Sequence, residues 1–217
     1  MLEKCQICGE MSFLTVEHLP QKSLFPKEIR SQVQNFNTVQ ACHDCNNGSK
    51  VSDELAKVFI GMVGLPPWIE QLRKSVDSTL DKNARLNRLV AENTTETEVT
   101  FADGITRPTK IVTLKGEHSL ELVRAVERMV KAFYFKQYEK VLVEHYEVSI
   151  FHFDSIHESL KKEILSQREL AETFWVNSKT VSYTFFNTQE SDIVSVVNLF
   201  GNMEFYFVLK ELGWREN

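Results

Sequence analysis

The chain lacks what would carry it into a membrane or out of the cell. No apolar run in its 217 residues approaches the roughly 18 needed to cross a bilayer. Its start, Met1-Leu2-Glu3-Lys4, runs straight into a cysteine pair with no secretory apolar core. A cytoplasmic location without a membrane partner is therefore expected. Repeats, low-complexity tracts and flexible linkers are missing too. So is an excess of positive charge: 25 Lys and Arg against 30 Asp and Glu leave a net charge of −5. That balance excludes an indiscriminate polycation and leaves nucleic-acid binding to local patches. What is present is ordinary for a globular chain, with 42% hydrophobic and 25% charged residues. The length suits one compact domain with a small module attached.

Only four cysteines occur, and they form two CxxC pairs, Cys5/Cys8 and Cys42/Cys45. In a reduced compartment this pattern reads as a metal site rather than as two disulfides. Four thiolates from two tight knuckles close a tetrahedral zinc site, which leaves no open position for catalysis. Zinc is thus expected as scaffold. His43 lies inside the second knuckle and is an alternative ligand, but four sulfurs need none. The long stretch between Cys8 and Cys42 leaves room for an excursion of the chain.

The first 55 or so residues are polar and carry little apolar periodicity, as in a segment that folds around a metal. A helix is predicted over "SDELAKVFIGMVG", capped by Ser52 or Asp53 and stopping near Gly64. A second helical stretch restarts near Trp68 after Pro66-Pro67. A hairpin follows around Asp103-Gly104. The clearest helix is capped by Ser119 and has Leu122, Val123, Val126, Met129, Val130 and Phe133 on its apolar face. "YEVSIFHF" reads as a strand and "SIHESLKKEILSQRELAETF" as one or two helices. The end reads as three strands turning at Asn187–Ser191 and Gly201-Asn202, with most of its Phe and Tyr in the core. The expected class is α+β: a metal finger over residues 1–60, then a helical middle and an antiparallel sheet over 61–217.

Inside the cysteine frame stand Glu17-His18 with Pro20, Asn37 five residues before Cys42, and Asn46 directly after Cys45. The ordered set "CQICG…LTVEHLPQKSLFP…NFNTVQACHDCNNG" resembles the HNH endonuclease family in its four-cysteine bacterial variant. The resemblance covers about a quarter of the chain and stops near residue 55. It implies a ββα-metal fold in which a strand pair carries His18 and Asn37 and a helix follows the second knuckle. It also implies His18 as general base, since a neutral imidazole suits deprotonation of water near neutral pH. Asn37 would help orient that ring. Glu17 and Asn46 would offer a carboxylate and an amide oxygen to a catalytic Mg²⁺ or Mn²⁺. Asn47 is the neighbouring alternative to Asn46. Lys50 falls one residue later than the lysine of some relatives, so only a phosphate contact is assigned to it.

Beyond residue 60, Arg124, Arg128 and Lys131 form a stripe expected opposite the apolar face of their helix. With Lys50 they are candidate nucleic-acid contacts. Arg73, Lys74, Lys82, Arg85 and Arg88 lie on the preceding helix, although charge runs of this kind are usually solvated faces. The leading expectation is a DNA-cleaving HNH endonuclease. The resemblance implies an effector of bacterial anti-phage defence whose activity a protein partner or self-association restrains, and the mildly acidic balance is in keeping with such restraint. Two alternatives stand beside it: a zinc-held module that binds nucleic acid or protein without cleaving, and an RNase with the same site.

Overall fold

The structure is a computed structural model that describes residues 1–32, 36–47, 50–100, 104–142, 146–151, 157–176, 180–188, 192–201 and 203–211. Asp103, Ser191 and Asn202, on which three expected turns rest, lie outside the described residues. The chain begins with a small antiparallel ribbon, β1 (Glu3–Lys4) and β2 (Met11–Ser12), which brackets the first knuckle. Next come β3 (Thr15–Leu19), a single 3₁₀ turn (Lys22–Leu24) and α1 (Lys27–Arg30). Strand β4 (Asn37–Ala41) returns antiparallel to β3, with Thr15 opposite Ala41 and Leu19 opposite Asn37. The second knuckle opens the short α2 (His43–Asn46), and α3 (Lys50–Val63) follows.

Helix α3 starts earlier than predicted, so Ser52 and Asp53 lie inside it rather than at its cap. Their side chains are engaged elsewhere: Ser52 donates to Glu121, and Asp53 pairs with Arg128. The helical stretch after Trp68 divides into α4 (Ile69–Lys82) and α5 (Ala84–Glu92). Asn83 makes the break, because its Oδ1 accepts from the Leu86 N–H at 3.0 Å and caps α5. Gly61 lets α3 and α4 approach closely, since a Cβ there would stand 2.5 Å from Val76 Cγ2. The hairpin β5 (Thr94–Thr100) and β6 (Thr106–Val112) leads to α6 (Glu117–Tyr138).

The α6 helix is the spine of the molecule, and Val126, Met129, Val130 and Phe133 on it are fully buried. The rest is an antiparallel sheet with strand order β7-β11-β10-β9-β8. Its members are β7 (Tyr146–Phe151), β8 (Thr173–Val176), β9 (Val181–Asn187), β10 (Ile193–Leu199) and β11 (Met203–Glu211), with α7 (Glu158–Leu170) packed on it. Phe133 of α6 stacks on Tyr183 of β9, ring centroids 4.4 Å apart.

One hydrophobic cluster runs from Leu19 and Phe25 in the finger, through Met129 and Phe133, to Phe207 in the sheet. It continues across residue 60, where the module boundary is expected. Phe25, Trp68 and Phe200 meet there as three mutually contacting rings, 5.1 to 5.6 Å between centroids. No helix among the described residues is long and apolar enough to cross a membrane.

Candidate metal centre and active site

The two knuckles bring Cys5, Cys8, Cys42 and Cys45 together, with all four sulfurs within 4.8 Å of one another. Gly9 makes the first turn possible at φ +82°, and its N–H donates to the Cys5 carbonyl at 2.9 Å. The N–H groups of Ile7 and Cys42 donate to Cys5 Sγ at 3.4 and 3.3 Å. Cys8 Sγ and Cys42 Sγ stand 3.8 Å apart, close to the separation of about 3.8 Å that a tetrahedron with 2.3 Å zinc–sulfur bonds requires. The cluster is compatible with zinc.

Burial pushes the Cys5 thiol up, but backbone hydrogen bonds at Cys8, Cys42 and Ile7 outweigh it and lower the pKa to about 7. Burial raises Cys8 to about 11, and raises Cys45 further still with the help of the Cys5 charge. Metal binding must therefore displace protons from these thiols. His43 stays outside the cluster: its ring is exposed beside Asp44, with Nδ1 to Oδ1 at 3.5 Å.

Strand β3 alternates as a strand must, and this separates the Glu-His pair. Glu17 and Leu19 are buried, whereas Val16 is exposed and His18 is half-buried on the opposite face. Glu17 is only 6% exposed. Burial raises its pKa to about 7, the Arg128 charge pulls it back, and Asp53 adds to the rise. Arg128 is 9% exposed and paired to Asp53, and its Nε has no hydrogen-bond partner among the described residues.

His18 meets the edge of Phe36 at 5.9 Å between centroids. Burial, and then the Lys22 charge, holds its pKa below the ordinary histidine value, so the ring is neutral at pH 7. The register sets Thr38 across from His18 and Asn37 across from Leu19. Asn37 and His18 thus turn to opposite faces, and the packing of the ring comes from Phe36.

Asn46 reaches back to β3. Its Nδ2 donates to Thr15 Oγ1 at 2.8 Å and to the Val16 carbonyl at 3.1 Å, which leaves Oδ1 uncommitted. Asn47 is exposed and its backbone closes α2 on His43. An uncommitted amide oxygen and the Glu17 carboxylate are hard donors of the kind Mg²⁺ or Mn²⁺ takes, so the chemistry of this pair fits such an ion. The pairing of Asp53 with Arg128, whose charges act on Glu17, was not legible in the sequence, because nothing local links positions 75 residues apart.

The α6 cations correct the expected stripe. Arg128 is interior rather than solvated, because Asp53 on α3 draws it in. Arg124 pairs with Glu121 at 2.6 Å and Lys131 with Glu127 at 2.7 Å. The three do not form one free basic surface. Lys50 is exposed at the start of α3.

The described residues thus define an α+β chain with a four-cysteine metal site beside a strand pair. No protein-family model, curated protein or solved structure matches it.

The buried carboxylate makes stability depend on pH. Glu17 titrates near 7 in the folded chain against an ordinary 4.5. Its contribution is therefore present in full below pH 4.5 and is lost as pH rises through 7. Without added Mg²⁺ or Mn²⁺, Glu17→Gln should stabilise the protein at pH 8 by about 2–3 kcal/mol, and the difference should close at pH 5. Denaturant titrations of both proteins at the two pH values check this, and a gap independent of pH would contradict it.

Proposed function

We propose that the chain is a metal-dependent HNH-type endonuclease that hydrolyses phosphodiester bonds in DNA, with β3, β4 and the α2–α3 segment as its ββα-metal unit. The observation that carries this reading is the imidazole of His18: neutral, half-exposed, and borne on a strand that the four-cysteine cluster fastens to a helix. A water poised on that ring gives up a proton to it as the water oxygen attacks phosphorus and the 3′ oxygen departs. Glu17 and Asn46 Oδ1 would hold the Mg²⁺ or Mn²⁺, which when bound supplies positive charge for the crowded phosphorus and the leaving oxygen. The cysteine cluster, closed by four sulfurs, takes no part in the chemistry. A net charge of −5 suits an effector, such as one in anti-phage defence, whose cutting waits on a protein partner or on self-association.

One observation favours a second reading, a zinc-held binding module: Glu17 faces Arg128 and Asp53 while His18 faces the other side of the strand. Supercoiled plasmid, linear duplex and single-stranded RNA, each incubated with Mg²⁺, Mn²⁺ or EDTA, separate the two. The nuclease reading expects metal-dependent nicking of DNA by the wild type. Asn46→Ala should need about tenfold more Mn²⁺ for half-maximal rate, the usual cost of disturbing a ligand set. An intact substrate under every condition would leave the binding module or an effector awaiting its partner; cleavage confined to RNA would make the protein an RNase.

A further inference from the structure

A cluster of cations without ion-pair partners among the described residues lies away from the β3 site. A cleft of about 1150 Å³ opens between α1, the first half of α3 and α4. Lys27, Arg30, Lys50, Lys57, Lys74 and Lys82 line it, against only two carboxylates, Glu28 and Glu54. Among the described residues none of these six cations forms an ion pair, in contrast to the three of α6. Glu54 is partly occupied already, since it accepts from Asn83 Nδ2 at 2.8 Å. A protein whose net charge is −5 has gathered like charges here without neutralising them. Such a concentration destabilises the empty cleft and is relieved by a polyanion.

We propose that this cleft grips the sugar–phosphate backbone of duplex DNA. Among the cations Lys57 is anchored by its neighbours. It is half-buried, and its Nζ donates to Thr79 Oγ1 at 2.7 Å, which in turn donates to the Ser75 carbonyl at 2.8 Å. Burial, and then the charge of Arg30, holds the Lys57 pKa below the ordinary lysine value; a phosphate beside it would raise the value again. Ser23 Oγ, also in the lining, has no hydrogen-bond partner among the described residues.

The lining contains no Phe, Tyr or Trp, so it offers no stacking platform for unpaired bases. A duplex, whose bases are already stacked, is the nucleic acid that asks for cations and hydroxyls alone. The cleft also borders the site already described. Ser23 lines it, while the adjacent Lys22 places its Nζ 5.6 Å from the Phe36 ring that touches His18. The proposal rests on the reading of DNA as substrate, and it adds where the duplex is held.

Binding is measured by fluorescence anisotropy of a labelled duplex without added divalent ion, so that cleavage plays no part. Against wild type stand Lys74→Glu/Lys82→Glu, the milder Lys74→Gln/Lys82→Gln, and the control Arg124→Glu/Lys131→Glu. Both cleft variants should bind at least about tenfold more weakly at moderate salt, and the slope of log affinity on log salt should fall by about 2. The control should change little. Zinc content and melting temperature establish that each variant is folded, and the glutamine pair serves if charge reversal unfolds the chain. Unchanged affinity in both cleft variants, or no duplex binding by wild type at low salt, overturns the proposal. Tighter binding of duplex RNA through the same lysines overturns the choice of DNA. Binding that depends on the cleft in a protein that never cuts would sink the nuclease reading and leave the cleft standing. Cutting at an unchanged rate and salt dependence in the cleft variants would do the reverse.

Discussion

His18→Ala should abolish plasmid nicking while zinc content and melting temperature stay at wild-type values. The rate should fall by about 10²- to 10⁴-fold, the usual worth of a positioned general base. The structure explains why the fold should tolerate the change. His18 is half-buried on the outer face of β3, and its ring meets Phe36 edge-on without hydrogen-bonding to any described residue. Single-turnover rates at saturating Mn²⁺ give the cleanest measure, because they separate the base from ion binding. A further readout sharpens the test: wild type should lose activity as pH falls through the histidine range, displaced below the ordinary value, since only the neutral ring accepts a proton. A His18→Ala protein that cuts at the wild-type rate would remove the imidazole from the chemistry.

The second large effect belongs to the metal centre. Cys42→Ser should lose zinc and unfold the finger. Cys42 supplies one of four sulfurs, and its backbone N–H also donates to Cys5 Sγ. Structural zinc in small finger peptides contributes an apparent 10–16 kcal/mol, and losing one ligand forfeits a large part of that. In a chain of this length a few kcal/mol lowers the melting temperature by on the order of 10 °C. Metal content by mass spectrometry and a calorimetric scan give both quantities, and a zinc-free variant that melts with the wild type would disprove the scaffold role. Acid should act in the same direction. Cys8 and Cys45 hold their protons far more tightly than a free thiol, so zinc leaves as falling pH lets them reprotonate.

What the sequence made legible was whatever is local. The CxxC spacing announced a four-sulfur cluster, because two residues between cysteines fix a knuckle whatever the rest of the chain does. The apolar period of α6 announced a buried helix, and the alternating tail announced β9, β10 and β11. The polar pairings were a different matter. Ser52 and Asp53 have the chemistry of a helix cap, and only the arrival of α6 explains why they lie inside α3 instead. Asn37 was expected to orient His18, yet a shift of one position in strand register turns a side chain to the other face. Arg128 sits in a stripe that reads as solvated until its partner, 75 residues earlier, is seen. The basic cleft was hidden for the same reason. Each of its three helices alone is an ordinary charged surface, and only their packing leaves the cations facing one another.

The ring contacts among Phe25, Trp68 and Phe200 bear on how freely this finger travels. A transplantable cassette keeps its apolar residues to itself, so that it can be cut out and fused elsewhere. Here Phe25 is fully buried and two of its ring neighbours come from α4's entry and the β10–β11 turn. A fragment ending at residue 60 would lay that side chain open to water, at a cost of about 2–3 kcal/mol for the one ring. Grafting the finger onto another host would demand a matching aromatic socket, and the host fold and the finger would have to change together.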